Sequence, residues 1–444
     1  MKVTFVLPAI GKKAHRPYIG TWKMEPLMMA VLKSITPPDI ETELFDDRLE
    51  LIDFGTKTDL AAITVETYTA RRAYSIADRF RERGVPVVLG GYHATLLPQE
   101  AAGHADSIVA GNAEGVWEQV LADARRGCLK KLYKKAPGYP DAFPDRSLFA
   151  GKRYLPIYLV ETGRGCGFRC DFCAITSYYQ ACYYARPIRT VVEEIERTGG
   201  RYFFFVDDNL AACPENLRRL AREIAPLGIS WAGQSSLTVA RDRKLLELLR
   251  NSGCIQLLVG FESMEEDSLT QMGKSWMLRL GKWDELVRAI HDAGISIYAT
   301  FLFGFDGDTP ESFQRALEFA ERHRFFFAAF NHLLAFPSTP LYERLLKEGR
   351  LLHPRWWLDE DYRYGDISFR PRRMDAAELS ERCALTRREF YRFTSIARRG
   401  WAQLERNPAP AILFTYLMQN MKLRKEVEGK LGLPLGDGLD ELPK

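Results

Sequence analysis

The N-terminal stretch MKVTFVLPAIGKK lacks a long apolar run: about eight residues end in Pro and Lys. It is therefore expected to be neither a signal peptide nor a membrane span. Long blocks of single-sign charge are missing too, with 62 Lys+Arg set against 58 Asp+Glu. Nucleic acid is therefore not an electrostatically favoured partner. No repeat of solenoid period is found, and there is no disulfide framework. Five of the eight cysteines (Cys128, Cys182, Cys213, Cys254, Cys383) are scattered and three are clustered. That pattern is expected of a reducing, cytoplasmic compartment and a single metal site.

At 444 residues the chain exceeds one ordinary core. Over the first 125 or so residues, short β-branched runs (2–7, 61–65, 86–90, with weaker ones at 41–47 and in ADSIVAG) alternate with helical stretches. One helix starts at Pro26, and another spans 70–84 and closes on Gly84. The alternation predicts a doubly wound, Rossmann-like sheet over 1–128. Residues 129–155 hold three prolines and a lysine cluster and are expected to be a linker. A second alternating series, with strands at 157–162, 202–208, 229–236, 255–263, 296–305 and 325–334, predicts a partial (β/α)6 TIM-type barrel over 156–345. A helical C-terminal region, 346–444, follows, with its last ten residues expected to be frayed.

The stretch GRGCGFRCDFCAIT, 163–176, puts Cys166, Cys170 and Cys173 within eight positions and brings no fourth ligand. Structural zinc needs four, and His104 and His291 are remote in sequence. Three thiolates on an iron-sulfur cube would instead leave one iron open to a small molecule. Gly163, Gly165 and Gly167 would let the loop wrap closely around such a cluster.

The C-x3-C-x2-C string, with Phe172 before its last cysteine and a predicted barrel strand before it, resembles the radical S-adenosylmethionine superfamily over roughly 155–345. The resemblance implies a 4Fe-4S cluster on the three cysteines, with S-adenosylmethionine chelating the open iron. FFVDDN, 204–209, resembles the family's second-strand motif, which implies that Asp207 or Asp208 receives the ligand's ammonium; helix capping by either acid or by Asn209 is the alternative. GFES, 260–263, resembles the ribose-contacting segment and implies roles for Glu262 and Ser263. Gln234 and Ser236 on the third strand, and Gly304 in FLFGFDGDT, complete the expected ligand set, although ordinary barrel lining or a plain turn would account for each.

In the first domain VVLGGYHATLLPQE and VAGNAEGVW end strands in glycine turns, where bare backbone can lie against a bulky ligand. Together with TVETYTARRAY they resemble the cobalamin-binding domain that precedes the barrel in one large radical-enzyme class. This likeness implies cobalamin near Thr67, Tyr68, Gly90, Gly91, Tyr92, His93, Gly111, Asn112 and Glu114. The Asp-x-His-x-x-Gly string that supplies a lower cobalt ligand elsewhere is absent from the loop PAIGKKAHRPYIG, where His15 lies alone.

The two likenesses together imply a cobalamin-dependent C-methyltransferase acting on an unactivated carbon of a hydrophobic or aromatic small molecule, lipids included. The alternative is a non-methylating relative that cyclises, rearranges or oxidises its substrate. Either would need an external electron donor of the flavodoxin or ferredoxin type. PAPAILFTYLMQNMKLRKEV, 408–427, joins an apolar stretch to a basic end; it could pack on the barrel or touch a membrane peripherally.

Overall fold

The structure, a computed structural model, describes residues 1–135, 142–406 and 410–440. Its first sheet contains β1 Lys2–Leu7, β2 Glu41–Asp46, β3 Leu60–Thr64, β4 Val87–Gly90, β5 Ser107–Ala110 and β6 Leu132–Lys134. All six are parallel, in the order β2-β1-β3-β4-β5-β6. Strand order reverses at β1/β3, which opens a crevice at the carboxyl ends there. Ala61, Ile63 and Leu89 pack with Ala73, Ile76 and Phe80 of the helix Ala70–Glu82. Their neighbours Leu60, Ala62 and Val88 pack on the opposite face with Met29 of Leu27–Ser34 and Trp117 and Val120 of Trp117–Arg125. The helix Ala70–Glu82 follows a capping box of Glu66 and Thr69 and stops before Gly84, whose φ of +75° lets the chain turn away.

The second sheet starts with β7 Tyr158–Val160. A small antiparallel hairpin follows, β8 Gly163–Gly165 with β9 Tyr183–Ala185. Then come β10 Tyr202–Phe205, β11 Ser230–Ser235, β12 Cys254–Glu262, β13 Ser296–Phe303 and β14 Phe327–His332. β7 and β10 to β14 lie parallel in chain order, so the sheet is a six-stranded partial barrel. Its helix-facing residues, among them Trp231, Leu257, Phe261, Phe301 and Phe330, are buried in the main core. The inward-facing Gln234, Gln256, Tyr298, Thr300 and Ala329 are only half-buried, so they line a hollow.

Two expectations need correction. Residues 132–134, inside the presumed linker, pair with β5 as the sixth strand of the first sheet, with Tyr133 buried and hydrogen-bonded to Asp123. Nor is the chain end frayed through 435–440: Leu435 and Leu439 are buried, and Gly436 N–H donates to Ile10 O while Lys12 N–H donates to Asp437 O. Leucines placed between glycines let this short tail fill a groove on the first domain, which composition alone did not reveal. The helix Pro410–Lys430 packs on Phe393–Arg406 through Tyr416 and Asn420, and leaves Phe414 and Met418 exposed. No helix among the described residues is long and apolar enough to cross a membrane.

Candidate functional site

The cysteine loop follows β8 and is held by its surroundings rather than by itself. Phe168 stacks on Trp276 at 4.3 Å, Asp171 N–H donates to Met272 O, and Leu341 N–H donates to Asp171 O. Arg344 pairs with the Asp171 carboxylate at 3.0 Å. Of the three glycines, Gly165 has φ +81° and no room for a Cβ against Cys182 O, and Gly163 abuts the Tyr183 hydroxyl, whereas Gly167 faces open space.

Cys166, Cys170 and Cys173 converge closely enough for the Cys170 thiol to feel the other two charges. Burial pushes Cys170 up to about 12, and the Lys274 ammonium is the main influence in the opposite direction. Asn209 Nδ2 donates to Cys166 Sγ at 3.6 Å. Among the described residues no group of three His, Cys, Asp or Glu side chains is arranged to hold a single metal ion. Three converging thiols, a neighbouring cation and an amide donor fit a larger cluster of thiolate-held irons.

Around this loop the strand ends contribute the predicted residues unequally. Asp207 is fully buried and accepts from Thr162 N–H at 2.8 Å and from Thr162 Oγ1 at 2.6 Å; burial pushes its carboxyl up to about 8. Both oxygens are thus committed to fixing the end of β7. Asp208 accepts from Gly165 N–H at 2.8 Å, and burial raises it to about 6. Asn209 caps the next turn through Ala211 N–H and also accepts from Ser236 N–H at 3.0 Å, tying β11 to the cysteine loop. Its capping role and a ligand-side role coexist in one side chain.

Ser236 Oγ meets Thr238 Oγ1 at 2.6 Å, while Gln234 is half-buried and faces the hollow. Glu262 closes β12 in the left-handed region at φ +63° and pairs with Lys274 Nζ at 2.7 Å. Ser263 is buried and donates to Asp308. Asp308 also accepts from the N–H groups of Gly304 and Phe305, which shapes the turn after β13. Gly304 has φ +116° and a Cβ there would press on Leu379 and Phe369. Phe172 meets Phe305 edge-on.

At the other end of the hollow, a cleft of about 320 Å³ opens at the carboxyl ends of β3, β4 and β5. Gly90, Gly91, Tyr92, Gly111, Asn112 and Glu114 line it from the first domain; Glu161, Arg164, Tyr178 and Tyr179 line it from the barrel side. An apolar slot continues between the sheet and Met28, Val31 and Leu32. At Gly91, with φ +99°, a Cβ would come within 2.9 Å of Thr64 Oγ1 and Val65 O, so bare backbone is required. Arg164 bridges the domains by pairing with Glu114 and Glu161, and the Tyr178 hydroxyl donates to Asn112. Glu66 faces the same cleft, and burial pushes its carboxyl to about 7.

Three expected neighbours of this ligand stand further back. His93 is fully buried, with Nδ1 against Thr67 Oγ1 at 3.2 Å and Nε2 against Glu100 at 3.0 Å. Tyr68 packs edge-on against Trp356. Reading the sequence assigned no role to Lys274, Arg164, Glu66 or Asp308. The last three lie inside the stretches GRGCGFRC, TVETYTARRAY and FLFGFDGDT, where the cysteines and glycines drew the reading, and Lys274 follows only a turn glycine.

A sequence profile of the Radical SAM superfamily matches residues 160–320. The chain is 32% identical over 380 residues to the bacteriochlorophyllide d C-12(1)-methyltransferase of Chlorobaculum tepidum, covering 83% of this chain and 81% of that protein. It is 29% identical over 354 residues to the C-8(2)-methyltransferase of the same organism, covering 74% and 78%. Among solved structures it resembles the cobalamin-dependent S-adenosylmethionine radical enzyme OxsB with aqua-cobalamin bound, at TM-score 0.66 and 14% identity, over 96% of this chain and 72% of that one.

Proposed function

The chain belongs to the cobalamin-dependent radical S-adenosylmethionine enzymes, and from that premise we propose that it is a C-methyltransferase acting on an unactivated carbon of a hydrophobic, aromatic metabolite. The observation that carries this reading is the 32% identity, across most of both chains, to an enzyme that methylates a chlorin pigment. Its cofactors are a 4Fe-4S cluster, S-adenosylmethionine and cobalamin. Bound, these groups supply a hydrogen-abstracting carbon radical and a transferable methyl group.

The protein's part is placement. Cys166, Cys170 and Cys173 would hold the cluster, and the Lys274 ammonium would offset its thiolate charge. Asp208, Gln234, Ser236, Glu262 and the turn at Gly304, with Phe172 beside it, would receive S-adenosylmethionine; Asp207 and Ser263 would hold the strand ends that present them. The cleft lined by Gly90, Gly91, Tyr92, Gly111, Asn112 and Glu114 would take cobalamin, with Thr67, Tyr68 and His93 supporting its wall. The first domain would then run through β6, and the barrel from β7 to about residue 345. The hollow between the two strand-end sites would hold the substrate away from water and orient one carbon toward both. An external flavodoxin- or ferredoxin-type donor in a reducing cytoplasm would supply the electron.

The test is anaerobic reconstitution with iron, sulfide and cobalamin, then incubation with S-adenosylmethionine, a reductant and bacteriochlorophyllide d. A product heavier by one methylene, together with 5′-deoxyadenosine, is expected. Deoxyadenosine without a methylated product from this or any related chlorin would overturn the chlorin reading; no deoxyadenosine at all would overturn the radical one.

A further inference from the structure

The helices Phe393–Arg406 and Pro410–Lys430 form a hairpin whose inner side is fixed to the barrel. Arg399 is buried there and donates to the Phe325, Phe326 and Phe390 carbonyls and to Asn420 Oδ1. The Tyr416 hydroxyl donates to Ile396 O, and its ring packs edge-on against Phe326. The outer side is the reverse. Phe393, Trp401, Phe414 and Met418 are 59%, 67%, 67% and 55% exposed, with Leu417 half-exposed beside them. Among the other large apolar side chains described, only Tyr202 exceeds half exposure.

Helical spacing gathers these side chains. Phe393, Ala397 and Trp401 recur every four residues along one helix; Phe414, Leu417 and Met418 share a face of the other, and Lys425 falls on the same side. The two stripes adjoin, because Arg424 lies over the Phe393 ring at 4.2 Å and a Cβ on Gly400, next to Trp401, would press on the Tyr416 ring. Charge is as uneven as polarity. From Arg392 to Lys425 there are seven basic residues and one acid, in a chain that is nearly balanced overall. Arg399 is the buried one, and Arg392 and Arg398 pair with Glu389 and Glu321 at the rim. The acids that follow are taken, Glu426 by Lys430 and Glu428 by Arg388. Lys425 is exposed, and Arg424 donates to Tyr391 O; among the described residues no carboxylate pairs with either.

A contiguous patch of exposed aromatic and aliphatic side chains marks a binding surface, and its basic rim selects the partner. We propose that this hairpin seats peripherally on an anionic lipid bilayer, with Trp401, Phe414 and Met418 entering the headgroup boundary and Arg398, Arg424 and Lys425 against lipid phosphates. Tryptophan and phenylalanine favour that boundary, and each basic side chain near it adds attraction to anionic headgroups. A second copy of the chain fits less well, because a two-fold interface would set the basic rim against itself. No helix among the described residues is long and apolar enough to cross the bilayer, so the contact is confined to its surface. The proposal goes beyond the methyl-transfer reading and does not rest on it.

The test is flotation of the holoenzyme with vesicles of phosphatidylcholine and phosphatidylglycerol in equal parts, against phosphatidylcholine alone. The mixed vesicles are expected to hold the protein at least ~10-fold more strongly than the neutral ones, with the gap closing in high salt. Trp401→Ser combined with Phe414→Ser should lower binding to mixed vesicles by roughly 10-fold or more, through the apolar burial lost. Lys425→Glu alone should lower it by roughly 5-fold or more. Far-ultraviolet circular dichroism reports whether each variant has folded; if the double variant does not, Lys425→Glu decides. No flotation, equal flotation on both kinds of vesicle, or unchanged binding by the folded variants would overturn the proposal. So would a lipid-free dimer in sedimentation velocity that Trp401→Ser dissolves, since that would assign the face to a second copy. Binding is read without turnover, so a failure to methylate chlorins leaves this result standing, and a failure to float leaves the methyl-transfer reading standing.

Discussion

The two sheets are built by the same rule, parallel strands joined through helices, yet they bury their faces differently. In the first, strands such as β5 and most of β1 and β3 are buried at successive positions, because helices cover both sides. In the second, β11 and β13 alternate strictly between buried and half-buried residues. Curling the sheet brings helices to the outer face only and leaves the inner face to line a hollow. A sheet covered twice can offer a ligand only its end, where backbone and glycine do the holding. A sheet covered once can offer side chains along a whole face, and here Gln234, Gln256, Tyr298 and Thr300 bring polar groups to it beside apolar ones such as Leu258 and Ala329.

Four experiments press on this contrast. The largest effect is expected from Cys170→Ala, which should abolish deoxyadenosine formation and lower bound iron while the first sheet still takes up cobalamin; iron analysis and product mass spectrometry read the two sites separately. Gly91→Val should weaken cobalamin retention by about 10-fold or more with the cluster intact, because the site requires a left-handed backbone and its new side chain would strike Thr64 and Val65. The third compares adjacent residues on opposite faces of β13. Phe301→Ala, on the covered face, should cost about 3–5 kcal/mol by chemical unfolding, whereas Thr300→Ala, on the hollow face, should cost no more than about 1 kcal/mol. Equal losses would mean that the inner face is as tightly packed as the outer.

The smallest effect concerns Glu66, the one acid of the first-domain cleft that burial raises to about 7. Its folded value lies above its ordinary value of 4.5, so the folded state holds the proton more tightly than the unfolded one. The ionised carboxyl therefore destabilises the cofactor-free protein above pH 7, and that penalty fades as pH falls toward 4.5. Relative to Glu66→Gln, the wild type should lose stability as pH rises through this window. A pH-independent difference in melting temperature between the two would show that the carboxyl is not enclosed.

The same contrast explains what could be read in advance. Short apolar runs alternating with helical stretches marked the strands of both sheets, whereas the alternation of burial along the barrel strands is visible only once the sheet curls and leaves one face uncovered. The cluster cysteines were legible because three ligands fall in one loop. Lys274 and Arg164 were not, because each is an ordinary basic residue until folding sets it beside thiols or across a domain junction. Residues 132–134 read as linker because a three-residue edge strand carries too little pattern to stand out beside lysines and prolines.

By itself the sequence determined the two parallel sheets, their order along the chain and the loop of three thiols. These are local properties, set by side-chain period, turn residues and ligand spacing over a few positions. Only the tertiary structure decided which acids are spent on holding strand ends, which lysine faces the thiols, and which arginine joins the two domains. Those outcomes depend on residues far apart in the chain, and the energy of a buried charge is set by what the fold places against it rather than by its sequence neighbours.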